Sequence, residues 1–170
     1  MQLSFIRQYE DVKSPLDIIL ACGMNNIPTS DTSEDVKLQF ESFLATIQHH
    51  SQRHKHKIPN RVVICPLLYA PKFCDARLSP HENHLSKILE INQWIKKFNE
   101  NTTQVHIELD AQGVASIPKS AKRPVEHVYD AWNEPTWQRM LHLNSEAKSK
   151  AAQVILRVFS ELDVKLTSED

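Results

Sequence analysis

The sequence predicts an α/β domain with a parallel sheet. Three observations carry this: two short continuous apolar runs that read as buried strands, amphipathic helical stretches after each, and a strict alternation of the two along the chain. Asp17-Ile18-Ile19-Leu20-Ala21-Cys22 is the first run, ending at Gly23, the pattern of a strand covered on both faces. From Ser33 to about His50, Val36, Phe40, Phe43, Leu44 and Ile47 recur at helical spacing, with Thr32 or Ser33 and the acids Glu34 and Asp35 at the start. Asn60 to Leu68 is the second strand, its ladder ending near Cys65 because Pro66 has no N–H to give. Ser79-Pro80-His81-Glu82 is a capping box with proline at the first helical position, and Leu85, Ile88, Leu89, Ile95 and Phe98 continue at helical period.

Thr103 to Leu109 alternates as a third strand, nearer a sheet edge. Asp110 to Met140 then loses periodicity, carries Pro118, Pro124 and Pro135 with Tyr129, Trp132 and Trp137, and is longer than an inert connection. From Asn144, the positions Ala147, Ala151, Val154, Ile155, Val158 and Leu162 return to helical period. The organisation expected is a lead-in over 1–15, one domain over 16–163 and a polar tail over 164–170. Right-handed crossovers put helices on the faces of the sheet.

Composition bounds the partners. The 170 residues, 41% hydrophobic, suffice for one core, and 20 Lys and Arg against 21 Asp and Glu leave no excess of positive charge for a nucleic acid. No apolar run approaches the roughly 20 residues of a membrane helix, and the first residues lack a signal-peptide core, so no membrane partner is expected. Three cysteines, an odd number, with Cys22 and Cys65 in strand-like runs, favour reduced core thiols and an intracellular setting. His49, His50, His54 and His56 among Arg53, Lys55 and Lys57 read as a solvated helix end, lacking the convergent carboxylates of a metal site and the aromatics of a base-stacking surface. No cofactor and no metal are expected.

Two positions stand where chemistry is usually placed. One of only two glycines, Gly23, follows the first strand, and beyond the carboxyl ends of parallel strands a glycine lets a following side chain, here Asn25, face a ligand crevice. On spacing alone Asn25 reads first as an ordinary turn residue. His142 lies between the long irregular stretch and the last helix, where a neutral imidazole would act as a general base, or simply cap the helix.

Ala21-Cys22-Gly23-Met24-Asn25-Asn26-Ile27 resembles the Gly-x-Asn-Asp block at the end of a central strand in SGNH (GDSL-like) hydrolases. Leu141-His142-Leu143-Asn144, leading into an alanine-rich helix, is similar to their catalytic histidine block. Asn92, on the second helix, matches an asparagine many relatives carry there. Leu68-Tyr69-Ala70-Pro71 after the second strand is also similar to divergent domains of this fold in retroelement-like reading frames of animals.

The resemblance implies a three-layer, flavodoxin-like fold with helices on both faces of a parallel sheet, whose first strand and nucleophile block have no counterpart ahead of Gly23. It implies a small acyl ester as substrate, Asn25 as the oxyanion-stabilising side chain, Gly23 beside it as the glycine of the same catalytic block, and His142 as base. No Gly-Asp-Ser block occurs in the chain, and the aspartate usual three residues before the histidine is Arg139. Asp130 or Glu134 could stand in as the orienting acid. The expectation is therefore an inactive esterase-like domain with Asn25 and His142 in one crevice, within about 10 Å. The alternative is a protein- or RNA-interaction module of the same fold. A sheet lacking its first strand would also expose an edge prone to self-association.

Overall fold

The computed structural model describes residues 17–53, 61–75, 77–103, 107 and 141–167. Strand β1 (Asp17–Leu20) is joined by helix α1 (Ser33–Arg53) to strand β2 (Arg61–Ile64), a short helical turn α2 (Pro71–Cys74) follows, then helix α3 (Leu85–Thr103) and helix α4 (Ser145–Thr167). The two strands run parallel in a two-stranded sheet with Asp17 opposite Arg61 and Leu20 opposite Ile64. The chain is thus an α/β fold with a small parallel sheet and helices. Most of the expected third strand, and all of 110–140, lie outside the described residues. Thr103 is the last residue of α3 rather than the first of a strand, and Ile107 is buried in the core.

At the start of the sheet, Arg61 pairs with Asp17 directly across the ladder, donating from Nε to Oδ1 at 2.9 Å. This partly buried, charge-assisted pair adds to the register that the buried face of the strands sets. At the far end, the Cys65 N–H donates to the Leu20 carbonyl at 2.8 Å, carrying the ladder one residue past β2.

Two sequence expectations about burial are corrected. Ile18 and Leu20 are buried but Ile19 between them is 40% exposed, so among the described residues β1 is covered on one face only, whereas Val63 and Ile64 of β2 are both fully buried. Cys22, expected inside a buried strand, lies past the end of β1 and is exposed.

Helix α1 starts where its cap predicts. Thr32 Oγ1 accepts the Asp35 N–H at 3.1 Å, and the Asp35 carboxylate accepts the Thr32 N–H at 2.8 Å, a reciprocal box that satisfies two otherwise orphan donors. Hydrogen bonds from Thr32 hold the Asp35 carboxyl below the usual aspartate range. Val36, Phe40 and Ile47 form its buried stripe.

Helix α3 starts later than expected. The Ser79 box forms, with Ser79 Oγ donating to Glu82 at 2.7 Å, but it closes a separate turn. The helix begins at Leu85, whose N–H is accepted by the Asn83 side chain at 3.0 Å. Its inner face is Ile88, Ile91, Ile95 and Asn99, while Leu89, counted on that face from spacing, is 42% exposed. Trp94 lies between Phe40 of α1 and Phe98, at ring separations of 5.9 and 5.7 Å, and Lys37 reaches across to Glu90 at 2.8 Å, so α1 and α3 pack side by side.

Two asparagines on α3 dock the helix onto the backbone of β2 and the segment after it. Asn99, 2% exposed, accepts the Ile64 N–H at 3.0 Å and donates to the Ile64 carbonyl at 2.8 Å. Asn92 does the same at Leu67, at 2.7 and 2.9 Å. Alternate residues of a strand present their backbone groups to opposite sides, and since Cys65 faces β1, Ile64 faces away from it. Asn99 therefore occupies, for one residue, the place of a neighbouring strand. Helix α4 is capped by Asn144, whose Oδ1 accepts the Ala147 N–H at 2.9 Å, and it buries Ala147 and Val154. It continues to Thr167. Among the described residues, no helix is long and apolar enough to cross a membrane.

Candidate functional site

The carboxyl ends of β1 and β2 open into a cavity of about 710 Å³. Residues 19–26 and 65–68 form its floor, Val36, Gln39, Phe40 and Phe43 of α1 one wall, and Leu143 with Ala151 and Ile155 of α4 another. Its surface is mostly apolar, and no charged side chain lines it among the described residues. A concave apolar pocket with a few polar groups, at the strand ends of a parallel sheet, is where ligands bind in folds of this class.

Gly23 shapes the mouth. Its φ of 102° and ψ of −17° put it in the left-handed region, and a Cβ there would stand 3.1 Å from both Leu67 Cδ2 and Phe40 Cζ. Only glycine meets both demands without strain. The chain then makes one 3₁₀ turn over Met24–Asn26, closed by the Asn26 N–H on the Gly23 carbonyl at 3.0 Å and by the Ile27 N–H on the Met24 carbonyl at 3.3 Å.

That turn is pinned from several directions. Lys87, in the first turn of α3, donates from Nζ to the carbonyls of Asn26 and Ile27 at 2.9 and 3.0 Å, and Thr29 Oγ1 donates to the Asn26 carbonyl at 2.7 Å. Burial draws the Lys87 pKa down, while Asp31 and Asp35 oppose that shift. The Asn26 amide donates to Gln39 Oε1 at 2.8 Å, and Ile27 is fully buried. Asn25 sits in the middle of this fixed turn, exposed, lining the cavity, and its side-chain amide has no hydrogen-bond partner among the described residues. The backbone that carries Asn25 is thus held in place, while its side-chain amide is left open to solvent.

Of the residues singled out from sequence, Gly23 and Asn25 thus share this mouth. His142 is exposed and is not among the cavity residues, although Leu143, beside it, is buried and lines the wall. Asp130 and Glu134 lie outside the described residues. Asn92, the structural asparagine, is joined by Asn99, which the sequence reading missed. Its signal was a polar residue seven positions on, on the same apolar face as Ile88, Ile91 and Ile95.

Two thiols line the cavity, Cys22 and Cys65. Burial raises the pKa of Cys22, and burial together with the neighbouring Cys22 pushes Cys65 up to about 11. Cys74, buried elsewhere, is pushed up to about 12. All three are protonated thiols near neutral pH, so none offers the thiolate that would replace a serine nucleophile. Among the described residues, no three His, Cys, Asp or Glu side chains converge to hold a metal.

Comparison with protein-family models, with curated proteins and with solved structures returned no match. The chemistry of the cavity mouth therefore stands on its own residues: an open amide on a rigid turn, an apolar chamber behind it, and no activated nucleophile beside it among the described residues.

Proposed function

We propose that the chain is an SGNH-hydrolase-like domain with a three-layer flavodoxin-like fold. In this reading it keeps the carbonyl-binding asparagine of an acyl-ester hydrolase, Asn25, and binds an acyl carbonyl without cleaving the ester. The observation that carries the reading is the open Asn25 amide at the cavity mouth, on a turn that left-handed Gly23 makes and Lys87 clamps. Turnover would need a nucleophile, and the sequence contains no Gly-Asp-Ser block. In the intact triad the histidine and the acid act through that nucleophile, so its loss removes most of the catalytic power, worth several powers of ten in rate, whatever else is kept. His142 is then a base with nothing to activate, and Asp130 or Glu134 an orienting acid for a vestigial pair.

The test is hydrolysis of p-nitrophenyl acetate by the purified chain beside a His142→Ala variant, with circular dichroism on both. The expected result is a rate equal to buffer for two folded proteins. Hydrolysis above buffer that disappears in His142→Ala would overturn the inactive assignment and mean that a nucleophile works with His142.

A further inference from the structure

We propose that the carboxyl end of the sheet binds one monovalent copper ion, with the thiolates of Cys22 and Cys65 and the thioether of Met24 as its donors. The three sulfur residues line the same cavity, and they come from the ends of both strands and from the turn that follows β1.

The ladder brings the two thiols together. Leu20 stands opposite Ile64, and the bond from the Cys65 N–H to the Leu20 carbonyl at 2.8 Å carries that register one step on, placing Cys65 opposite Ala21. With parallel strands about 4.8 Å apart and a rise of about 3.3 Å per residue, Cys22, the next residue along, stands roughly 6 Å from Cys65 between Cα atoms. Charge on Cys22 is one of the causes that raise the Cys65 pKa, as expected of neighbours. Met24 follows Cys22 across Gly23, whose left-handed φ of 102° turns the chain, and its side chain is half-buried against the core. Lys87 holds the far end of the same turn, so the thioether is carried on backbone that is already fixed.

The donor set selects the metal. Thiolate and thioether are soft ligands that suit monovalent copper, whereas magnesium, calcium and manganese prefer carboxylate, carbonyl and water. Zinc also takes thiolates, but it completes a set of four with thiolate, imidazole or carboxylate, and a thioether is not among its usual ligands. Both thiols are protonated near neutral pH, and a coordinating thiol is deprotonated outright, so each thiolate–copper bond that forms replaces one S–H bond and releases one proton to solvent. The thioether binds through a lone pair and releases none. Phe40, Phe43 and Leu67 line the same cavity, and an apolar shell of this kind limits the access of water to the ion and favours the monovalent over the divalent state.

Titration of the reduced whole chain, without oxygen, against the coloured bicinchoninate complex of monovalent copper tests this. The chain should withdraw a single copper ion. Cys22→Ser and Cys65→Ser should each weaken binding by about a hundredfold or more and Met24→Leu by about tenfold, with circular dichroism unchanged. Cys74→Ser should leave the affinity as it was, because Cys74 is buried away from the cavity. Unimpaired binding by folded Cys65→Ser would overturn the site, since a single exposed thiol would then be the binder. Unaltered affinity in Met24→Leu would overturn the place of the thioether, and displacement of the copper by an equal concentration of zinc would overturn the soft class. Should the serine variants fail to fold, X-ray absorption at the copper edge of the unaltered chain decides. A shell of three sulfurs is expected there; two would overturn the place of Met24, and one or none would overturn the site.

Discussion

Replacing Asn99 should destabilise the fold more than its small size suggests. The side chain is 2% exposed and satisfies both backbone groups of Ile64, itself fully buried, at 3.0 and 2.8 Å. In Asn99→Leu the number and branching of the side-chain heavy atoms are kept, but one N–H and one C=O are left buried without partners. At about 1–3 kcal/mol for each unsatisfied group, the two together cost about 2–6 kcal/mol, a large share of a typical domain stability of about 5–15 kcal/mol. Asn92→Leu removes the same pair of bonds at Leu67, but Asn92 is only partly buried, so its cost should be smaller, about 1–2 kcal/mol. Urea denaturation followed by circular dichroism separates the two: the midpoint should fall for both, further for Asn99→Leu, with the slope unchanged. A loss under about 0.5 kcal/mol for Asn99→Leu would refute the reasoning, because it would mean that Ile64 has no need of the amide.

Three further outcomes are expected. Gly23→Ala should lose about 1–3 kcal/mol in thermal unfolding, since alanine is strained at φ 102° and its Cβ would press on Leu67 and Phe40; an unchanged melting temperature would show that the turn has another conformation. Of the three cysteines, Cys22 alone should react with a disulfide reagent in the native protein, with Cys65 and Cys74 reacting only in denaturant, and because burial raises its pKa the rate should keep climbing at pH values where an ordinary thiol has levelled off; three equal rates would contradict the burial. The Asp35 pKa is lowered by its bonds to Thr32, so the capping box contributes stability above the ordinary aspartate pKa of about 3.9 and loses it as pH falls through the lowered value. The gap in melting temperature between the unaltered chain and Asp35→Ala should accordingly be constant near neutrality and shrink in acid.

The elements most legible in the sequence were those whose signal is local and repeated. Ile18 to Leu20, Val62 to Ile64 and the stripe Val36, Phe40, Ile47 are apolar patterns that mean the same thing in almost any surroundings. Gly23 was legible too, because a rare glycine at a strand end has few other uses. What failed depended on tertiary neighbours. Ile19 looks like any core isoleucine, and only the absence of described cover on that face of β1 exposes it. The Ser79 box is complete in four residues, so it closes a turn whether or not a helix continues, and the start of α3 was set instead by the Asn83 side chain. Asn99 and Lys87 act on backbone groups 35 and more residues away in sequence, a relation that no window of periodicity contains. At the site, Asn25 was identified by its place beyond the strand, whereas the chamber behind it, assembled from four stretches, had no sequence signature.

The spacing of Asn92 and Asn99 sets a limit on how this chain can change in length. Seven residues of helix rise about 10.5 Å, and the three residues from Ile64 to Leu67, if extended, advance about 10 Å, so helix and strand segment act as two rulers with coinciding marks, read in opposite directions. One residue inserted between the asparagines would turn one of them about 100° around the helix, away from its mark. A residue inserted between Ile64 and Leu67 would shift the other mark by a full strand step. Insertions and deletions accumulating in descendants of this sequence should therefore avoid both intervals, however freely they enter the connections on either side.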